Sequence, residues 1–250
     1  MAGHSKWAQI KRQKGVNDSR RGQLFTKLTR EITIAAREGG GDPDANFRLR
    51  LAIQRARQIN MPADNIQRAI SRATGSGDDQ QQLEEITYEG YGPGGVAIFV
   101  EALTDNRNRT VAEVRNVFTR NGGNLGESGS VAWLFEPRGY ISVPVDGKDP
   151  DEVTLTAIDA GAVDVMEEDK ALAVYTALED MEKVRGALEN AGLSAETAER
   201  AMVPKTQVSL DPQKGAQVVR LIERLEDLDD VQNVSTNLDL SEELVAALAS

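Results

Sequence analysis

Ala162-Val-Asp-Val-Met-Glu-Glu-Asp-Lys-Ala-Leu-Ala-Val-Tyr-Thr176 reads as two strands, Ala162–Glu167 and Ala171–Thr176, flanking a charged Glu-Glu-Asp-Lys turn. On its N-terminal side a strand is predicted over Gly139–Val143 and a helix over Asp149–Ala160. On its C-terminal side follow a helix over Met181–Asn190, ended near Gly192, and an edge strand over Ala198–Val203. The order β-α-β-β-α-β is the split βαβ, ferredoxin-like pattern.

Working outward, a second α/β group precedes this unit. Ile86–Tyr91 reads as a strand, Gly92-Pro-Gly-Gly95 as a turn and Val96–Leu103 as a buried strand. Asn106-Arg-Asn-Arg-Thr110 enters a helix with Val111, Val114, Val117 and Phe118 inward, ended at Asn121-Gly122-Gly123. Ser130–Phe135, with Trp133 in it, reads as a further strand. After Pro204, Asp211-Pro212 opens a helix with Val218, Leu221, Ile222 and Leu225 inward. A strand over Val231–Thr236 and a short helix opened by Ser241-Glu242-Glu243 close the chain. This last α-β cannot bury itself alone. It is expected to complete the sheet begun at 86–135, which makes 139–202 an insertion; a serial arrangement is the alternative.

The first part of the chain is helical. Residues 1–18 show no helical stripe and read as extended or disordered when alone. Asn17, Asp18 and Ser19 are candidate N-caps. Leu24, Phe25, Leu28, Ile32, Ala35 and Ala36 then recur at helical spacing, up to Gly39-Gly40-Gly41. Asp42-Pro43 reads as the cap and first position of a second helix, with Phe47, Leu49, Ala52, Ile53 and Ala56 inward. Pro62 starts a third, with Ile66, Ala69 and Ile70 inward and Arg68 and Arg72 outward, ended at Gly75. The polar run 75–82 reads as a linker to the α/β part.

Charge divides the chain at the same place. Residues 1–75 hold 15 Lys+Arg and 6 Asp+Glu, a net charge of +9; residues 76–250 hold 14 and 34, a net charge of −20. An acidic body repels phosphate backbones, so only the basic head is expected to approach one. Chemistry is sparse by comparison. The chain has no Cys and one His. Disulfides, thiolate metal sites and thiol nucleophiles are thereby excluded. A Ser–His pair could involve only His4, in the basic tail. Glu167-Glu168-Asp169 and Asp227, Asp229 and Asp230 read as turns and solvated faces rather than catalytic pairs. No zinc spacing, calcium loop or nucleotide-binding Gly-Lys-Ser/Thr is present. No apolar run approaches the ~18 residues of a membrane span, and the N-terminus lacks the apolar segment of a secretory signal. No cofactor and no small-molecule substrate is expected.

The candidate site is accordingly the basic head: His4, Lys6, Trp7, Lys11, Arg12, Lys14, Arg20, Arg21, Lys27, Arg30, Arg48, Arg50, Arg55 and Arg57. Arg48 and Arg55 share a helix face, as do Arg50 and Arg57, giving a guanidinium ridge suited to phosphates. Trp7 serves either for base stacking or as a local core anchor. The competing use of these cations is docking onto the acidic body. A secondary anion or partner site is expected at Tyr88, Tyr91, Arg107 and Arg109, where backbone N–H groups and two guanidiniums meet at a helix N-terminus.

The opening Met1-Ala-Gly-His-Ser-Lys-Trp-Ala-Gln-Ile-Lys-Arg-Gln-Lys14 closely resembles the signature of the YebC family. The likeness continues through Met61-Pro-Ala-Asp-Asn-Ile66, Tyr88-Glu-Gly-Tyr-Gly-Pro-Gly-Gly95, Asn106-Arg-Asn-Arg-Thr110 and Gly122-Gly-Asn-Leu-Gly126 with Gly129-Ser-Val131. The family more often has Asn where Gln9 stands and His near Arg12, so a His-specific role near position 12 is not carried over. The resemblance implies an α+β protein of three domains, a helical N-terminal domain and two α/β (ferredoxin-like) domains around a cleft. Here they are expected at 1–78, at 83–137 plus 204–250, and at 138–203. It implies a non-enzymatic protein. Bacterial members are described as probable transcriptional regulators that bind DNA; the mitochondrial relative activates translation of a cytochrome oxidase subunit. Members are also described as ribosome-associated factors that relieve stalling at proline-rich stretches. The signature starts at the first Met, which points to a bacterial cytoplasmic member. A monomeric, rRNA-binding translation factor is the expectation favoured by the segregated charge, with a duplex-DNA regulator as the alternative. The Gly39-Gly-Gly41 connection resembles a hairpin more than a tight helix-turn-helix.

Overall fold

The two strands expected on either side of the charged turn pair antiparallel, as Asp164–Glu167 with Ala171–Thr176, within a ferredoxin-like sheet. The computed structural model describes residues 18–75, 83–145, 147–168 and 171–249. The expected conformations of the tail and of the linker at 76–82 lie outside the described residues. The chain divides into two compact units, one within Lys14–Ala132 and Gln213–Val234, the other within Trp133–Pro212 and Ser235–Ser250.

In the second unit, β4 (Phe135–Pro144), β5 (Asp164–Glu167), β6 (Ala171–Thr176) and β7 (Thr197–Pro204) form a sheet in the order β5-β6-β4-β7. All three pairings are antiparallel. Every residue of β6 is buried. That explains why its sequence is a continuous apolar run instead of an alternation. Tyr140 and Tyr175 face each other across β4 and β6, with ring centroids 5.7 Å apart, in a cluster with Ala173, Ala201 and Val203. The helices Pro150–Ala160 and Met181–Asn190 supply Val153, Ala157, Val184 and Leu188 to the interior.

The described part of the first unit begins with three helices: α1 (Asp18–Gly39), α2 (Phe47–Gln58) and α3 (Ala63–Thr74). In chain order the helices already given, Pro150–Ala160 and Met181–Asn190, are α5 and α6. The three expected stripes meet in one core: Leu28, Ile32, Ala35 and Ala36 from α1, Leu49, Ala52, Ile53 and Ala56 from α2, and Ile66, Ala69, Ile70 and Ala73 from α3. Phe25 packs against this core from its edge, whereas Phe47 lies half-buried beneath the Arg50 guanidinium, 5.5 Å from its ring centroid.

The entry to α2 corrects the sequence reading. Asp42-Pro43 does not cap the helix; Asp42 instead accepts a hydrogen bond from the Asp44 backbone N–H at 2.9 Å. The N-cap is Asn46, buried and bonded on three sides. It accepts from the Leu49 N–H and donates to the carbonyls of Ala35 (2.7 Å) and Gly40 (2.8 Å), so one amide closes the end of α1 and opens α2.

The same unit contains β1 (Glu84–Tyr91), β2 (Ala97–Thr104), α4 (Arg107–Arg120), the two-residue β3 (Asn124–Leu125), α7 (Pro212–Glu226) and β8 (Val231–Thr236). The sheet order is β3-β1-β2-β8. The strand expected over Ser130–Phe135 is absent: Ala132–Leu134 is a 3-10 turn, and Trp133, 65% exposed, is not a strand residue. A final helix, α8 (Glu242–Ala249), closes the chain.

α1 belongs to two interiors. Ile34 lies off its amphipathic stripe, is fully buried, and packs with Leu83 and Leu103 of the α/β part. Complete burial of an isoleucine contributes roughly 1.5–3 kcal/mol. The helical head is therefore built onto the first sheet rather than tethered beside it.

Candidate nucleic-acid interface

The cations of the head fall into three groups. His4, Lys6, Trp7, Lys11, Arg12 and Lys14 lie outside the described residues, and Arg20 and Arg21 are placed by backbone alone on the first turn of α1. The second group is bonded within the molecule. Lys27 donates to the Glu226 carbonyl (2.5 Å) and Arg30 to the Asp229 carbonyl (2.5 Å), with Gln23 on the Asp227 carbonyl (3.2 Å). Cations at the carbonyl end of α7 complement the negative end of its dipole. Arg30 also reaches the Asp230 carboxylate at 2.8 Å.

Between α1 and α2, Glu31 and Glu38 are seven residues apart and meet Arg55 and Arg48, also seven apart. Arg55–Glu31 is 3.3 Å and Arg48–Glu38 2.8 Å, and Arg48 bonds Glu85 as well. Burial lowers the affinity of Arg48 for its proton, but Glu85 and the neighbouring acids outweigh that and raise its pKa. Arg50 donates to the carbonyls of Pro43 and Asp44. Two of the four arginines of the ridge predicted from spacing, Arg48 and Arg55, thus form an inter-helix zipper. Its exposed members contribute ~0–1 kcal/mol each.

The third group faces outward. Arg57 on α2 and Arg72 on α3 are exposed and have no hydrogen-bond or ion-pair partner for their guanidinium groups among the described residues. Arg68 is exposed beside them in sequence and donates to Asn65 Oδ1 and the Asp64 carbonyl. Gln54, Gln67 and Ser71 are exposed on the same two helices.

The secondary site expected at Tyr88, Tyr91, Arg107 and Arg109 is not an open anion pocket. Asn106 caps α4 by accepting from the Arg109 N–H. The Arg109 guanidinium is bonded to Asp105 (2.7 Å) and to both oxygens of Asp230 (3.0 and 2.8 Å), and those bonds, Asp230 first, raise its pKa. Tyr91 donates to the Ser130 carbonyl at 2.9 Å. Tyr88 is half-buried, which raises its hydroxyl pKa against the opposing pull of Arg107. Arg107 itself is 70% exposed and 3.7 Å from Glu84.

Two carboxylates that the sequence reading passed over organise this region. Asp230, 2% exposed, accepts from Thr104, Thr110, Arg30 and Arg109. Burial alone would raise its pKa, but Thr110, Arg109, Arg30 and Thr104 together lower it. It is the opposite of the solvated face expected for Asp227, Asp229 and Asp230. Glu89 is 4% exposed and accepts 2.7 Å bonds from the backbone N–H groups of Gly129, Val131 and Ala132. Burial opposes its ionisation, yet the three donors hold its pKa below the usual carboxylate range. Its own carbonyl receives the Gly126 N–H at 2.7 Å. Both glycine-rich motifs are therefore joined through one residue. Gly90 next to it allows a close approach: a Cβ there would stand 2.6 Å from the Asn124 carbonyl oxygen and 2.7 Å from the Phe118 ring.

Among the described residues no group of three or more His, Asp or Glu is placed to hold a metal ion, and no helix is long and apolar enough to cross a membrane. Comparison with known proteins gives matches along most of the chain. Residues 5–76 match the family model described as TACO1/YebC protein N-terminal domain, and residues 83–238 match that of the TACO1/YebC second and third domain. A protein of Herpetosiphon aurantiacus named probable transcriptional regulatory protein is 58% identical over 250 residues, covering 100% of this chain and 99% of that one. One of the same name from Dehalococcoides mccartyi is 53% identical, covering 98% and 97%. A crystal structure of a conserved hypothetical protein of Aquifex aeolicus superposes with a TM-score of 0.82 at 47% identity, covering 89% of this chain and 91% of that one.

Proposed function

Because the chain belongs to the TACO1/YebC family, we propose that it is a non-enzymatic, nucleic-acid-binding regulator of gene expression that engages ribosomal RNA through its basic head. The carrying observation is the segregation of charge, +9 over residues 1–75 against −20 over the rest. A basic end on an acidic body orients the molecule on a phosphate surface and keeps the body away from it. The internal bonds of Lys27, Arg30, Arg48 and Arg55 refine which groups make contact. The contact falls to Lys6, Trp7, Lys11, Arg12 and Lys14 of the tail together with the outward Arg57, Arg68 and Arg72. Looped or single-stranded RNA also rewards stacking by Trp7.

Duplex DNA is the second reading. The relatives' printed name points to transcription, and the link between α2 and α3, Ile59–Pro62, has the length of a helix-turn-helix turn, with Asn60 in the left-handed region at φ 58°. Sedimentation of cell extracts through sucrose, followed by sequencing of RNA cross-linked to the protein, separates the two. Co-migration with ribosomes and cross-links to rRNA are expected. A protein that stays at the top of the gradient and protects a promoter duplex at physiological salt overturns the ribosomal reading.

A further inference from the structure

Basic residues are scarce after position 75, and their distribution is uneven. Of the 14 Lys and Arg there, four lie in the fourteen residues of α4 (Arg107, Arg109, Arg115 and Arg120), which contains a single acid, Glu113. The inward side of the helix is apolar or hydroxylic, with Thr110, Val114 and Phe118 buried. The outward side carries Asn108, Ala112, Arg115, Asn116, Thr119 and Arg120, all exposed, with the one acid, Glu113, exposed at its margin beside Arg120. Residues at these spacings of three, four and seven share a helix face. The Arg115 and Arg120 guanidiniums have no hydrogen-bond or ion-pair partner among the described residues.

We propose that this outward face of α4 is a second phosphate-binding surface, on the otherwise acidic body, for the same nucleic acid that the head takes. The inference rests on the nucleic-acid reading above and extends it to a helix outside the head. Its residue types decide the class of partner. A protein interface needs apolar or aromatic anchors at its centre and is depleted of charge there, whereas Ala112 is the only apolar residue on this face. Arginine with asparagine and threonine is instead the set that contacts phosphate and sugar oxygens. Charge complementarity points the same way, because elsewhere on the body a phosphate chain meets excess carboxylate.

The placement is fixed relative to the head. Arg30 of α1 and Arg109 of α4 bind one carboxylate, Asp230, at 2.8 Å each. The middle of α1 and the N-terminal turn of α4 are therefore held at a common buried anchor within one unit. A nucleic acid held by the head meets α4 in a defined position, without an ordering cost at the joint.

The test uses the full chain and a short fluorescein-labelled RNA hairpin, with a DNA duplex of the same sequence as the second arm. Arg115→Gln with Arg120→Gln is compared with the wild type and with Arg57→Gln/Arg72→Gln in the head. Losing two phosphate contacts is expected to make the log–log salt slope shallower by about 1.4 to 1.8. Affinity near 0.1 M salt is expected to fall roughly tenfold or more, with the melting temperature unchanged because both side chains are exposed. The arm with the larger loss identifies RNA or DNA as the ligand. A wild-type slope and affinity in the α4 variant, while the head variant loses both, overturns the inference and leaves this face to an acidic protein. Absence of binding by the wild type in both arms overturns it together with the nucleic-acid reading.

Discussion

Asp230 and Glu89 do the most at the scale of single residues, and each works by being a buried anion with donors on every side. Asp230→Asn removes the charge that Arg30 and Arg109 share. Stability at neutral pH is expected to fall by about 3 kcal/mol, the cost of leaving cations without their buried partner. Glu89→Gln replaces an acceptor of three N–H bonds by a group that presents its own NH2 to them, at an expected loss of about 2 kcal/mol. Both carboxylates ionise more readily folded than unfolded. Their contribution is therefore complete above the ordinary carboxylate pKa of about 4 and is lost as pH falls through the lower folded values. Urea denaturation at pH 7 and again in acid checks this: each variant should trail the wild type at pH 7, with the gap narrowing in acid. A gap that is constant with pH would show that the charges are not what matters. Neither residue was legible in the sequence. Asp230 sits in an acidic run that looks like a turn, and Glu89 occupies an ordinary strand position, because burial of a charge is decided by donors distant in the chain, such as Arg30 and Val131.

At the scale of elements, the helices and most strands were legible because their signals are local. Stripes at helical spacing, glycine stops and continuous apolar runs mark β6, α6 and β8 to the residue. Two features escaped. The α2 cap passed to Asn46 because a buried amide bonded to two carbonyls of α1 outcompetes the Asp-Pro signal, and those carbonyls belong to a different helix. Ile34 falls outside the stripe at helical spacing, and nothing local marks it as buried; it is the contact by which α1 joins the first sheet. Ile34→Ala is expected to cost about 2–4 kcal/mol by cavity formation. It should do so without shifting helix content in circular dichroism, since alanine keeps the helix and the loss is at the junction. Equilibrium unfolding measures the cost; a change below ~0.5 kcal/mol would mean that the junction adds little.

At the scale of the whole molecule, charge segregation carries the proposed function, and residues 1–14 contribute four of the fifteen cations of the head without a single acid. Deleting residues 1–14 is expected to abolish nucleic-acid binding and leave the melting temperature nearly unchanged. A large drop in melting temperature would assign the tail to the fold. The charge split, the family, the helical head and the split βαβ order were determined by the sequence alone, because composition and local periodicity are properties of the chain itself. Only the tertiary structure decided which cations are spent internally. Spacing placed Arg48 and Arg55 on one face, but it could not show that Glu38 and Glu31 of another helix lie opposite them. Nor could it show that Lys27 and Arg30 close the end of α7, some two hundred residues away. Whether a charge faces solvent or a partner depends on elements brought together from distant parts of the chain, and those pairings exist only once the chain has folded.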